Sequence, residues 1–153
     1  MVAEQLRRVL VADDDPEIRG LLAAILRQRG LTVDVASDGR EAIDLIAASS
    51  FAVIVLDLLM PNVDGFGVID HLRARDGGPM PVVIVVSGAE PRVIDALDPR
   101  VIHGIIHKPF DAHELANLVE ACAEIRGRSA FETMAITAML AGGPLISWLS
   151  RMS

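Results

Sequence analysis

The chain has 153 residues, of which 52% are hydrophobic, and carries a formal net charge of −7 at pH 7. This length can build one domain with a substantial core, and this apolar content excludes disorder along the whole chain. The acidic balance argues against a nucleic-acid-binding surface, because the phosphates of DNA or RNA would repel it. We therefore expect no nucleic-acid partner.

Cysteine content and the amino terminus indicate the compartment. Cys122 is the single cysteine, so no internal disulfide can form, which fits a reducing environment. Residues 1–10 lack the long apolar run of a signal peptide. The sequence therefore predicts a cytoplasmic protein.

The first half of the chain alternates β-rich runs with amphipathic segments. A strand over residues 7–12 is followed by a helix over 16–29, which Pro16 begins and Gly30 stops. A second strand over 32–36 leads to a helix that Asp38 caps and that runs to residue 48. The apolar run at 51–56 is typical of a strand that is covered on both faces.

The second half continues the same alternation. A loop with Pro61 and Gly65 precedes a helix near 67–75, and residues 81–86 form another fully buried strand. A short helix over 92–98, a strand over 103–106 and a helix over 111–125 complete the series. Five alternating strand–helix units predict a parallel sheet with helices on both faces, in which ligands bind at the carboxyl ends of the strands.

Polar side chains follow four of these predicted strands. Asp13–Asp15 come after the first strand, Asp57 after the third, Ser87 after the fourth and Lys108, the single lysine, after the fifth. Clustered carboxylates favour a hard cation such as Mg²⁺. An aspartate can also act as a nucleophile and form an acyl phosphate, while a hydroxyl and an ammonium stabilise phosphoryl oxygens. Each residue alone could be a helix cap or a surface charge, but together they predict a phosphoryl-transfer site.

Four segments carry a resemblance to a known family. VLVADDDPEIR, VIVLDLLMPNVDG, VVIVVSG and HKPF, in this order and spacing, resemble the signatures of bacterial response-regulator receiver domains. The resemblance covers residues 6–126 and implies a flavodoxin-like fold, a five-stranded parallel sheet of order 2-1-3-4-5. It implies a magnesium-dependent signalling domain rather than an enzyme, with a histidine kinase or a phosphotransfer protein as phosphodonor.

The resemblance also implies a role for each matching residue. Asp57 corresponds to the phosphoacceptor, and Ser87 and Lys108 to the residues that contact the phosphoryl group. The implied Mg²⁺ ligands are Asp14 directly, Asp13 through water, Asp57, and the backbone carbonyl of Leu59. The peptide bond before Pro109 is expected to be cis.

Three positions depart from the family pattern. Ile105 stands where the family has a switching Tyr or Phe, and the chain contains no tyrosine. We therefore expect the output to be weaker, or to use a surface other than the face of the fourth helix and fifth strand. Leu59 and Ala89, two residues beyond Asp57 and Ser87, cannot orient an attacking water, so we predict slow loss of the phosphoryl group.

Residues 127–153 form an apolar extension for which we predict helical structure interrupted at Gly142–Pro144. Packing on the receiver's own surface, or a contact between two chains, is favoured because exposed apolar faces seek partners. Membrane association is disfavoured, because the uncharged stretch 133–149 is short for a span; a truncated or disordered end is the third reading. The segment cannot hold a DNA-binding module, so the chain resembles a stand-alone regulator.

Two functions remain in competition. The first is a receiver that signals through protein contacts with an unknown downstream protein after phosphorylation of Asp57. The second is a receiver-fold interaction protein that dimerises through its extension, or through the face of the fourth helix and fifth strand, and whose output does not depend on phosphorylation. A haloacid-dehalogenase-type phosphatase is rejected because it needs an aspartate at the position of Leu59.

Overall fold

In a computed structural model of the chain, the described residues are 7–75 and 77–125. The strands are β1 (Arg8–Ala12), β2 (Thr32–Ala36), β3 (Val53–Leu56), β4 (Val82–Ser87) and β5 (Gly104–His107). The helices are α1 (Pro16–Gln28), α2 (Gly39–Ala48), α3 (Gly65–Arg73), α4 (Pro91–Asp95) and α5 (Ala112–Ile125). The strands form one parallel sheet in the order β2-β1-β3-β4-β5, which confirms the predicted topology.

Two apolar clusters, one on each face, bury the sheet. On one face, side chains such as Val9, Val11 and Val55 pack with Leu26 of α1 and Val119 of α5. On the other face, the alternate strand side chains pack with α2, α3 and α4; examples are Leu10, Ile54, Ile46, Leu72 and Ile94. Because β3 is buried on both faces, its sequence is apolar at every position.

Aspartate side chains cap four of the helices. The carboxylate of Asp15 accepts hydrogen bonds from the first turn of α1, and Asp38 accepts one from the Glu41 N–H of α2, as predicted. Asp64 and Asp111 do the same for α3 and α5. Such caps satisfy amide groups that have no partner within the helix and so fix where each helix begins.

Several predicted boundaries were wrong by one to three residues. Helix α3 begins at Gly65 rather than 67, because Asp64 supplies the cap. Helix α4 ends at Asp95 rather than 98, where the chain turns and the Leu97 N–H donates to the Ile94 carbonyl. Strand β3 begins at Val53 rather than 51, and β4 and β5 each lie one residue later than predicted.

The predicted extension, residues 127–153, lies outside the described residues. Its expected helical structure, self-packing and dimer contacts therefore stay predictions. Within residues 7–75 and 77–125, no helix combines the length and the apolar character needed to cross a bilayer.

Candidate functional site

The carboxyl edge of the sheet collects the side chains predicted to act together. Asp13 follows β1, Asp57 follows β3, Ser87 ends β4 and Lys108 follows β5. Backbone hydrogen bonds continue the sheet beyond the strand ends: the Asp57 N–H donates to the Ala12 carbonyl at 2.9 Å, and the Lys108 N–H to the Ser87 carbonyl at 3.1 Å. The parallel register therefore fixes the backbone position from which each functional side chain extends.

The Lys108 ammonium joins two of the carboxylates. Its Nζ lies 3.0 Å from Oδ2 of Asp13 and 3.1 Å from Oδ2 of Asp57. Both carboxylates are buried, and the lysine side chain is partly buried. A single cation thus offsets two buried negative charges, which leaves the site anionic overall.

Asp14 completes a cluster of three carboxylates. Asp13, Asp14 and Asp57 each offer an oxygen, and these oxygens lie within 4.8 Å of one another. Asp14 is exposed, whereas its two companions are buried, so the cluster opens to solvent on one side. Carboxylate oxygens in such a group suit Mg²⁺, which takes oxygen ligands and keeps several waters. The residues present therefore fit the metal that the sequence predicts.

Hydrogen bonds from the backbone hold both buried carboxylates. Oδ1 of Asp57 accepts from the Leu59 N–H at 3.2 Å, and Oδ1 of Asp13 accepts from the Asp15 N–H at 2.9 Å. Each carboxylate thus uses one oxygen for the backbone and the other for Lys108. The Leu59 backbone lies beside Asp57 while its side chain is 58% exposed.

Burial and charge act in opposite directions at this site. Burial raises the pKa of the Asp57 carboxyl, and it outweighs the Leu59 and Lys108 hydrogen bonds that lower it. Burial acts to lower the pKa of the Lys108 ammonium, but hydrogen bonds to Asp13 and Asp57 outweigh it and raise that pKa. The lysine is therefore a fixed positive charge at neutral pH.

Ser87 is wholly buried at the end of β4. Its Oγ accepts a hydrogen bond from the Ala89 N–H at 3.1 Å. Because a hydroxyl can donate while it accepts, the Ser87 proton remains available for an oxygen in the pocket. The peptide bond between Lys108 and Pro109, the next residues along this edge, is cis, as expected.

Two residues that support the site were not predicted from the sequence. Gly65 lies against the backbone of Asp57 and Leu58, and an added Cβ would lie 2.4 Å from the Asp57 carbonyl oxygen. Arg19 donates from Nη1 to the Asp13 carbonyl at 2.8 Å. A signal for Gly65 existed, since a glycine directly after the capping Asp64 is compatible with close backbone approach. No sequence signal identified Arg19.

Two further residues on or near β5 bear on the site and the sheet. Ile105 pairs with Val85 in the β4–β5 register and is half-buried against the cluster beneath α2, α3 and α4. His103 is half-buried, and its Nδ1 accepts a hydrogen bond from the Val83 N–H at 3.0 Å. His103 thus satisfies a backbone amide where β4 begins.

Comparison with known proteins identifies the family. The family described as the response regulator receiver domain matches residues 9–120. The chain belongs to this family. Receiver domains are signalling domains of two-component systems, so the family predicted from the four motifs is confirmed.

Individual relatives and solved structures agree with this assignment. The transcriptional regulatory protein TcrA of Mycobacterium tuberculosis is 34% identical over 108 residues, which are 71% of this chain and 42% of TcrA. The receiver domain of the Francisella response regulator 1452 is 32% identical with a TM-score of 0.68, covering 77% of this chain and 97% of that one. The response regulator TrrA of Thermotoga maritima, solved in complex with Mg²⁺–BeF, is 28% identical with a TM-score of 0.65, covering 76% of this chain and 98% of that one.

The curated relatives are longer proteins. The chain spans half or less of the length of TcrA and of the response regulator MprA of Mycolicibacterium vanbaalenii. The transcriptional regulation in the name of TcrA therefore describes that longer protein.

Proposed function

We propose that this receiver accepts a phosphoryl group onto the Asp57 carboxylate in a Mg²⁺-dependent reaction. The observation that carries the proposal is the contact of one ammonium, Lys108, with both Asp57 and Asp13, inside a cluster of three carboxylates. A purely structural lysine would need one partner, and buried like charges without a further role destabilise a fold. The arrangement makes chemical sense when an anionic group and a divalent cation enter together.

In the proposed reaction a carboxylate oxygen of Asp57 attacks phosphorus and forms an acyl phosphate. The bond from phosphorus to the donor's nitrogen or oxygen breaks, and the leaving group keeps that electron pair and takes a proton from solvent. The Leu59 N–H orients the Asp57 carboxylate through Oδ1. Neither Asp57 nor Asp13 needs to give up its backbone hydrogen bond in this step.

Lys108 and Ser87 stabilise the transferred group in this proposal. The Lys108 ammonium lies 3.1 Å from Asp57 and can move from the carboxylate oxygen to a phosphoryl oxygen as negative charge shifts there. The buried Ser87 hydroxyl donates a hydrogen bond to a second phosphoryl oxygen while it continues to accept one from the Ala89 N–H.

In this proposal Asp14 would hold Mg²⁺ directly and Asp13 through water, together with Asp57 and the Leu59 carbonyl. The bound ion supplies positive charge that offsets the phosphoryl group. In its absence the three carboxylates repel an incoming anion, so chelation should abolish transfer.

The phosphodonor is a histidine kinase or a phosphotransfer protein, and the location is cytoplasmic. The output passes through contacts with another protein rather than through DNA, since the net charge of −7 disfavours a DNA-binding surface. As a domain that modifies only itself, the receiver is a switch rather than an enzyme.

Intact mass spectrometry after incubation with acetyl phosphate and Mg²⁺ tests the proposal. Wild type should gain the mass of one phosphoryl group, and EDTA should prevent the gain. Asp57→Asn should gain nothing, whereas Asp64→Asn, which keeps a capping oxygen at α3, should be phosphorylated like wild type. Phosphorylation of Asp57→Asn at the wild-type level would refute the assignment.

A second function is favoured by Ile105 alone. An interaction protein whose output is independent of phosphorylation needs no residue that reports on the site, and Ile105 occupies the reporting position. Sedimentation with and without beryllofluoride and Mg²⁺ separates the two functions. Hydrogen exchange is measured under the same two conditions. An unchanged oligomeric state and unchanged hydrogen exchange would support the second function, and a change in either would support the first function.

A further inference from the structure

An apolar groove of about 460 Å³ lies between α1 and the start of α5. Its lining includes Ile18, Leu21, Lys108, Pro109, Phe110 and Ala112. Leu21 is 53% exposed although it is one of the largest apolar side chains of α1. An exposed leucine in a concave apolar surface favours a covering partner.

The charge of the groove selects the kind of partner. Among the described residues that line the groove, Lys108 is the only ionisable one, and its ammonium contacts Asp13 and Asp57. A charged peptide would therefore lose hydration without gaining an ion pair. An uncharged apolar segment loses little and buries Leu21.

The chain supplies such a segment. Residues 133–149 contain no charged side chain and include Leu145, Ile146 and Trp148, the single tryptophan. They follow α5, the helix whose first residue, Ala112, lines the groove.

The distances permit the segment to reach the groove. Helix α5 has 14 residues, so at about 1.5 Å per residue its end lies roughly 21 Å from the groove. Residues 126–132, extended at roughly 3.3 Å each, can return over about 20 Å. The start of the apolar segment is therefore within reach of the groove.

We propose that residues 133–149 dock in cis into the groove between α1 and α5 and cover Leu21. The docked segment would border Lys108, which also lines the groove. This docking does not depend on whether Asp57 is phosphorylated, so it is tested separately from the proposed reaction.

The single tryptophan makes the test direct. In the full chain, Trp148 emission should be blue-shifted from that of the chain unfolded in guanidinium chloride, and acrylamide should quench it less. Leu21→Glu places a charge in the groove and should move both values toward those of the unfolded chain. Ala24→Glu adds the same charge to an exposed position of the same helix outside the groove, and should change neither.

The tail side of the contact is tested by Leu145→Glu, which should have the same effect as Leu21→Glu. The double variant should be no more affected than either single variant, because both remove one contact. Circular dichroism checks that the variants remain folded.

Three results would overturn the proposal. The first is wild-type emission and quenching equal to those of the unfolded chain, or unaffected by Leu21→Glu. The second is a blue shift that disappears on dilution together with a dimer in sedimentation, which would assign the groove to a second copy's segment. The third is a blue shift that appears only with vesicles of anionic phospholipid, which would assign the segment to a lipid surface.

Discussion

Gly65→Ala should destabilise the protein at the loop that carries Asp57. The added methyl would lie 2.4 Å from the Asp57 carbonyl oxygen and 2.7 Å from the Leu58 Cα. Both are backbone atoms, and the Gly65 N–H also donates to the Leu58 carbonyl at 2.9 Å. The loop therefore cannot accept the methyl by rotating a side chain; it must shift the backbone beside Asp57.

The expected magnitude combines two opposing terms. Overpacking of this kind lowers the free energy of unfolding by about 1–3 kcal/mol. Alanine in place of glycine within a helix raises it by less than about 1 kcal/mol. Because Gly65 is the first residue of α3, where helix propensity counts least, the clash should dominate. We expect a net loss of about 1–2 kcal/mol in the free energy of unfolding.

Urea unfolding followed by circular dichroism measures this loss, and Gly20→Ala is the matched control. Gly20 lies within α1 and a Cβ there would meet nothing within 4 Å. The same substitution should therefore stabilise the protein at Gly20 by about 0.5–1 kcal/mol. If Gly65→Ala were as stable as wild type, the inference that α3 packs closely on the Asp57 loop would be wrong.

Three further outcomes are expected. Burial raises the pKa of the Cys122 thiol to about 12, so iodoacetamide should label the unfolded but not the native chain at mildly alkaline pH. The contribution of the neutral thiol to the free energy of unfolding should be present below pH 9.0 and lost as pH rises toward 12. Labelling of the native chain at the rate of the unfolded chain would contradict this. Because burial also raises the pKa of the Asp57 carboxyl, its contribution to stability is present below its ordinary value of 3.8 and lost as pH rises. With metal chelated at neutral pH, Asp57→Asn should therefore resist urea better than wild type, and a lower urea midpoint would oppose this account. The acyl phosphate should decay slowly, since Leu59 and Ala89 cannot orient water; Leu59→Asn should shorten its lifetime, and a wild-type half-life of seconds would count against the reasoning.

The sheet could be predicted from the sequence because its strands have a distinctive pattern. Residues such as Val53–Leu56 are apolar at every position, which identifies a strand buried on both faces, and the spacing between such runs leaves room for one helix each. The ends of α3 and α4 could not be predicted as well. These ends depend on which side chain accepts a hydrogen bond from the first turn of the helix, as Asp64 does, and that depends on the folded arrangement of the chain.

The residue types of the site were also predictable, because parallel strands deliver their carboxyl ends to one edge. Which of these side chains contact one another inside the site could not be predicted. That Lys108 contacts Asp13 and Asp57 together depends on strands β1, β3 and β5, which are far apart in sequence. Arg19 shows the same limit, since its partner is a backbone carbonyl that carries no sequence signal.

Under the proposed function, Ile105 limits how a signal can leave the site. A β-branched side chain has restricted rotamers, and Ile105 is half-buried in the apolar cluster, so it cannot swing between two positions as a ring can. The Ser87 hydroxyl accepts a hydrogen bond from the Ala89 N–H. Ala89 packs on the same cluster and leads into α4, which has only five residues and is marginal without its packing. A shift of Ser87 toward a phosphoryl group therefore acts first on the segment between β4 and α4. Addition of beryllofluoride and Mg²⁺ should accordingly change hydrogen exchange of residues 88–95 more than that of β5, and the reverse order would show that Ile105 transmits the change.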